Sequence, residues 1–204
     1  MIKLFSCITA GVLISLASIV YANCPNSIVG SFLFSLALVS IIRLGLKLFT
    51  SMVGNCRVRT KDIVAIVYIF IGNVIGSCFS FLSPNVSTDI VMTKLSQSAW
   101  QVLFGGIVCG FFVYLTSILD YKGSNILATI MCVMAFMLGG GEHSIADICF
   151  IFNARYFTKE SLLFIILVIV GNVFGAKFCR ALLDECINEV KNVGKKVQKE
   201  TSRN

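Results

Sequence analysis

Six long, almost uncharged apolar runs, at residues 5–22, 27–49, 62–83, 97–119, 125–153 and 160–182, leave this chain few folds to choose from. A hydrocarbon layer about 30 Å thick takes roughly 20 residues of α-helix to cross. Inside it no water is available to backbone N–H and C=O groups, and a single segment satisfies its own backbone only as a helix. The expectation is an all-α integral membrane protein with six transmembrane helices. They form one domain over residues 1–183, followed by a basic tail over 184–204 that carries Lys191, Lys195, Lys196, Lys199 and Arg203. With 57% hydrophobic and 13% charged residues, the composition excludes an ordinary soluble domain.

Basic residues in short loops set the orientation. The 50–61 segment holds Arg57, Arg59 and Lys61, whereas 23–26 holds none, so the former is expected in the cytoplasm together with both termini. Lys122 and the basic tail agree; Arg155 and Lys159, in the last external loop, vote the other way. The net charge of +7 is then explained by topology in a cell inner (plasma) membrane, and nucleic acid is not expected as a partner. The opening residues MIKLFSCITAGVLISLASIVYANC also have the form of a signal peptide, whose removal leaves five spans. The internal repeat argues for retaining them as the first span.

That repeat joins IGNVIGSCF at 71–79 to VGNVFGAKF at 170–178, an offset of 99 residues that aligns Gly72 with Gly171, Asn73 with Asn172 and Gly76 with Gly175. The two segments fall in the third and sixth spans. Two three-helix halves follow, and an odd number of spans per half makes them inverted with respect to each other. Spans two and five then correspond, and both contain charges. Arg43 and Lys47 lie in one; Glu142, His143 and Asp147 lie in the other, just after Gly139, Gly140 and Gly141. Breaks are expected near 47–55 and 139–144, where helix ends meet a polar path at the bilayer midplane.

The segment GGGEHSIADICFI, residues 139–151, resembles the GFEHSIANMYFIP signature of the formate/nitrite transporter family, and KLFTS, residues 47–51, resembles its ELFTS loop. The similarity runs over all six spans, about residues 5–182. It implies an aquaporin-like inverted-repeat fold with broken helices two and five, assembled as a homopentamer in which each protomer is an ion channel for small monovalent anions such as formate, nitrite or hydrosulfide. By the same resemblance Phe34, Leu38 and Leu48 match one apolar constriction and Phe136 the other, with His143 between them. Leu48, Phe49, Thr50 and Ser51 match a mobile loop, and Lys94 matches the lysine of an outer vestibule. The chain departs from the family pattern at Asp147, where asparagine is usual, at Gly110, where some members carry asparagine, and at Lys47, which replaces an acid.

The chemistry of these side chains fits transport of a weak acid. An anion is costly at the bilayer centre, and desolvation raises its proton affinity as it does a buried carboxylate's. It therefore crosses most easily as its neutral acid where a proton is at hand. Histidine is the side chain suited to lend one. Thr50 supplies a hydroxyl able to donate and accept, and a charged Lys94 gathers anions at the mouth. Whether His143 donates outright or only stabilises the anion is open at this level. Glu142 is expected to pair with a basic group, with Lys47 or Arg43 as candidates, or to cap the lower half-helix. Asp147 either bonds a backbone end or holds His143 protonated. Asn73 and Asn172 are expected to support the two breaks.

Other classes fit less well. One histidine and nine scattered cysteines without a C-x-x-C pair supply no usual metal site, and no cofactor is expected. His143 and Ser144 are adjacent on a helix and point apart, which argues against an enzyme. A neutral-solute channel of the aquaporin kind lacks its Asn-Pro-Ala pair, and a non-transporting assembly protein leaves the midplane charges unexplained.

Overall fold

A computed structural model of the protein describes residues 2–57, 59–120 and 125–201, with side chains as far as Cys186. Lys122 and the basic side chains of the tail lie outside the described residues. The chain is all-helical: α1 (Leu4–Asn23), α2 (Ser27–Arg43), α3 (Phe49–Met52), α4 (Thr60–Ser77), α5 (Thr88–Leu95), α6 (Ala99–Leu119), α7 (Ile126–Leu138), α8 (Ser144–Ala154) and α9 (Lys159–Thr201). Among the described residues four helical segments are long and apolar enough to cross a membrane: Leu4–Asn23, Thr60–Leu82, Ala99–Leu119 and Lys159–Cys186. These are the first, third, fourth and sixth of the runs read from the sequence. Each of the other two is divided into a longer and a shorter helix.

Both divisions have the same local cause. After α2 the chain turns at Gly45, whose φ is +65°, and Leu46 N–H reaches back to Ile41 C=O at 2.9 Å. After α7 it turns at Gly140, with φ +74°, and Gly141 N–H reaches Phe136 C=O at 2.7 Å. A left-handed glycine with a bond spanning five residues is the Schellman ending of a helix, and only glycine takes that backbone without strain. The first division therefore falls at 44–48, a little before the 47–55 expected from the sequence, and the second at 139–143. Phe49, Thr50 and Ser51, of the segment matched to a mobile loop, are buried in a single helical turn that Leu48 precedes.

Small residues let the long helices nearly touch. A Cβ on Gly76 in α4 would stand 2.2 Å from Ile8 C=O in α1, and one on Gly175 in α9 would stand 2.0 Å from Ile107 C=O in α6. Gly11 and Gly110 return the contact, their missing Cβ atoms lying 2.1 Å and 2.2 Å from the carbonyls of Asn73 and Asn172. Helix association in a membrane draws on such close packing, since lipid tails are as apolar as the helix surfaces. Gly110 therefore serves the α6–α9 contact; it has no room for the asparagine side chain that the family pattern offers at that position.

Candidate functional site

The two asparagines of the repeat hold the two restarts. Asn73 Oδ1 accepts from Phe49 N–H at 2.8 Å, and its amide donates to Lys47 C=O at 2.9 Å and Cys7 C=O at 2.8 Å. Asn172 Oδ1 accepts from Ser144 N–H at 2.9 Å, and its amide donates to Glu142 C=O at 2.7 Å and Gly106 C=O at 2.9 Å. Each amide thus satisfies the first N–H of a helix and the carbonyl just before its N-cap residue, groups that a chain break inside an apolar bundle would otherwise leave bare. Both asparagines are fully buried.

The residue enclosed by each clamp is the N-cap of the short helix: Leu48 for α3 and His143 for α8. His143 Nδ1 accepts from Ala146 N–H at 3.1 Å, as an N-cap side chain does. That nitrogen therefore carries no proton, and in the neutral ring the proton sits on Nε2. Nε2 lies 2.8 Å from Thr50 Oγ1, so the imidazole N–H donates to the threonine hydroxyl. His143, Thr50 and the two clamps join residues that are far apart in sequence into one buried polar centre.

Two cavities approach this centre from opposite ends of α6. One, of about 370 Å³, is lined by His143, Glu142, Asp147, Lys94 and Tyr21, and by Gln97 next to the start of α6. The other, of about 560 Å³, is lined by Arg43, Leu46, Lys47, Ser51 and by Ser117 and Asp120 at the end of α6. Thr50 connects them: it bonds to His143, which lines the first, and adjoins Ser51, which lines the second. Phe34, Leu38, Leu48 and Phe136 line neither cavity and are at most 1% exposed. Phe136 stacks on the His143 ring, with centroids 6.2 Å apart and planes 20° apart. Thr50 and Phe136 thus touch His143, Glu142, Asp147 and Lys94 line the first cavity with it, Ser51 lines the second, and Phe34 and Leu38 belong to the buried apolar core.

The charges are arranged differently from the sequence expectation. Glu142 pairs with neither Lys47 nor Arg43. Its carboxylate takes a hydrogen bond from Lys94 and another from Gln97 Nε2 at 2.8 Å. Lys94 also reaches Asp147 Oδ1 at 3.0 Å and lies 5.7 Å from the centre of the Phe150 ring. The lysine matched to an outer vestibule is thus held between two buried carboxylates. What the sequence concealed is α5, a short helix that lowers Lys94 and Gln97 onto the start of α8. Asp147 uses its backbone N–H to continue α8, bonding His143 C=O at 2.8 Å, while its Oδ2 has no hydrogen-bond partner among the described residues.

The sequence model described as "Formate/nitrite transporter" matches residues 2–184 of this chain. The chain belongs to the formate/nitrite transporter family. The formate channel FocA of Haemophilus influenzae is 25% identical to it, over 78% of this chain and 70% of that protein. Two solved structures have similar folds. One described as an FNT family ion channel superposes with a TM-score of 0.75 at 21% identity, covering 85% of each chain. One described as a pentameric formate channel with formate bound gives 0.77 at 20% identity, covering 91% of this chain and 96% of that one. The formate/nitrite transporter fold and the apolar helices make this a multi-pass membrane protein.

Proposed function

We propose that the protein is a pH-dependent channel for small monovalent weak-acid anions of the formate, nitrite and hydrosulfide class, in which the anion crosses between two apolar constrictions by exchanging a proton at His143. The observation that carries this reading is the Thr50–His143 hydrogen bond at the junction of two cavities that enter from opposite ends of α6. An anion in the outer cavity meets Nε2–H and a hydroxyl that donates or accepts as required, and the ring gives up a proton at Nε2 only after Nδ1 leaves the Ala146 N–H and takes one from water. Phe34, Leu38 and Leu48 form the constriction on the inner side, and Phe136 the one on the outer side. They exclude water, so the charged form of the substrate is disfavoured where the proton is offered. Lys94 and Thr50 line the anion path, and a shift of the Leu48–Ser51 turn opens it. The kinship with a formate channel and the fold shared with a channel that holds formate support the substrate class.

The matching Schellman turns, the matching asparagine clamps and the reciprocal glycine contacts support an aquaporin-like architecture of six spans in two inverted halves, with spans two and five broken. The basic segment before α4 is tied to α9 through Lys177, which donates to Cys56 C=O, and Arg180, which donates to Gly54 C=O at 3.2 Å. By the positive-inside rule that face, with the larger cavity and both termini, is cytoplasmic in the inner membrane. The protein assembles as a homopentamer, as the solved formate channel does.

Flux into liposomes tests the reading. Formate, nitrite, hydrosulfide and acetate uptake should rise on acidification and fall on the order of 100-fold or more in His143→Ala, the scale of a lost acid–base group. Water or glycerol flux without anion uptake would instead indicate a neutral-solute channel, and no flux of any kind a non-transporting assembly protein.

A further inference from the structure

We propose that Asp147 couples anion entry to a second proton: the cavity above His143 takes in a small anion when the unpartnered oxygen of Asp147 is protonated, and releases both together. This inference rests on the anion-channel reading. Its basis is a local charge count. Lys94 is the one cation lining the outer cavity among the described residues, and it contacts two carboxylates, Glu142 and Asp147 Oδ1. Fully ionised, the cluster carries one net negative charge at the place where an anion must enter. Glu142 has both oxygens engaged, by Lys94 and by Gln97. Asp147 has one engaged and one bare, and its side chain is 2% exposed. A buried polar atom without a partner is costly; a proton on it removes the excess charge and makes it a donor that an incoming anion satisfies.

Among the described residues the surroundings present no other group that neutralises this carboxylate. Around it stand Lys94 and Asp89 from α5, Glu142 and His143 from the turn before α8, Tyr21 from α1, Cys109 from α6, Cys149 on α8 itself and only the apolar Phe164 from α9. The cavity of about 370 Å³ is the volume of roughly ten waters, ample for a carboxylate or nitrite ion. Lys94 remains an ammonium throughout, the added proton resides on Asp147 Oδ2, and it returns to the water when the anion leaves. The asparagine of the family pattern has no such proton to bind, so this coupling belongs to the present chain.

The test compares the wild type with Asp147→Asn, which keeps shape but cannot titrate, and Asp147→Glu, which can. In purified protein in weakly buffered detergent, adding formate should draw up to about one proton per protomer into the wild type and Asp147→Glu, and close to none into Asp147→Asn. In liposomes the alkaline fall of formate uptake should be about tenfold shallower per pH unit in Asp147→Asn, because one of two required protons has been removed. Equal proton uptake, an unchanged slope, or an Asp147→Asn protein of normal assembly size that carries no anion would overturn the proposal while leaving the channel reading intact if the wild type transports. A wild type that carries no anion would overturn both.

Discussion

Asn172→Ala isolates the part of the site that geometry, rather than reactivity, supports. The substitution removes an acceptor from Ser144 N–H and two donations, to Glu142 C=O and Gly106 C=O. Gly106 lies within α6, where the helix ladder also uses its carbonyl, whereas Ser144 N–H and Glu142 C=O flank the break and lose the partner described for them. Two buried groups left bare cost about 2–6 kcal/mol at 1–3 kcal/mol each. Measured interhelical bonds in membranes average about 0.6 and reach about 1.7 kcal/mol, which for three bonds gives a range that overlaps this one. A loss of about 2–5 kcal/mol follows, corresponding to a fall in Tm on the order of 5–20 °C for a domain of this size. Because the clamp encloses His143, anion flux should fall with it. The assay is thermal unfolding of the purified protein alongside liposome uptake. Asn172→Asp sharpens the test. It keeps the acceptor for Ser144 N–H but turns an oxygen toward two carbonyls, so it should harm at least as much as alanine despite its shape. An Asn172→Asp protein with wild-type Tm and flux would refute the clamp.

Thr50→Val removes the hydroxyl facing His143 Nε2 at almost unchanged volume and should cut anion flux sharply, whereas Thr50→Ser should retain most of it; equal flux in both would deny the hydroxyl a role. Lys94→Ala strands two buried carboxylates and should destabilise the fold by about 3–5 kcal/mol, with stability recovered in the triple variant that also carries Glu142→Gln and Asp147→Asn; unfolding curves of the two proteins decide. Gly110→Ala would set a methyl 2.2 Å from Asn172 C=O and should push α6 from α9 at a cost of about 1–3 kcal/mol or more, read as lower Tm and weaker assembly on size exclusion; a neutral substitution would contradict the close approach.

Sequence and structure agree where one physical constraint acts alone. The long helices follow from apolar length, and the pairing of Asn73 with Asn172 follows from the repeat, although the sequence does not tell which backbone groups each amide reaches. The Thr50–His143 contact was legible only because the resemblance placed both residues at the pore, since 93 positions separate them and no local pattern joins them. The break in the second run was harder to place. Its signal is Gly45 alone, and the more conspicuous Gly54 is a packing residue: a Cβ there would stand 2.3 Å from the Tyr114 ring. The ion pairs of Lys94 were not legible because α5 spans only 8 residues between serine-rich turns, too short for a helical period to declare itself. Without that helix Glu142 has no visible partner, and basic residues on its counterpart segment looked nearest.

The bond from Ala146 N–H to His143 Nδ1 has a consequence for what else can pass. A proton wire through imidazole needs both nitrogens, one taking a proton as the other lets one go. Here the backbone has claimed one of them, so while that bond stands the ring is neutral and its single proton stays on Nε2. A ring so held gives a companion ion a hydrogen bond yet relays no bare protons, so every proton that crosses would travel with the anion it neutralises.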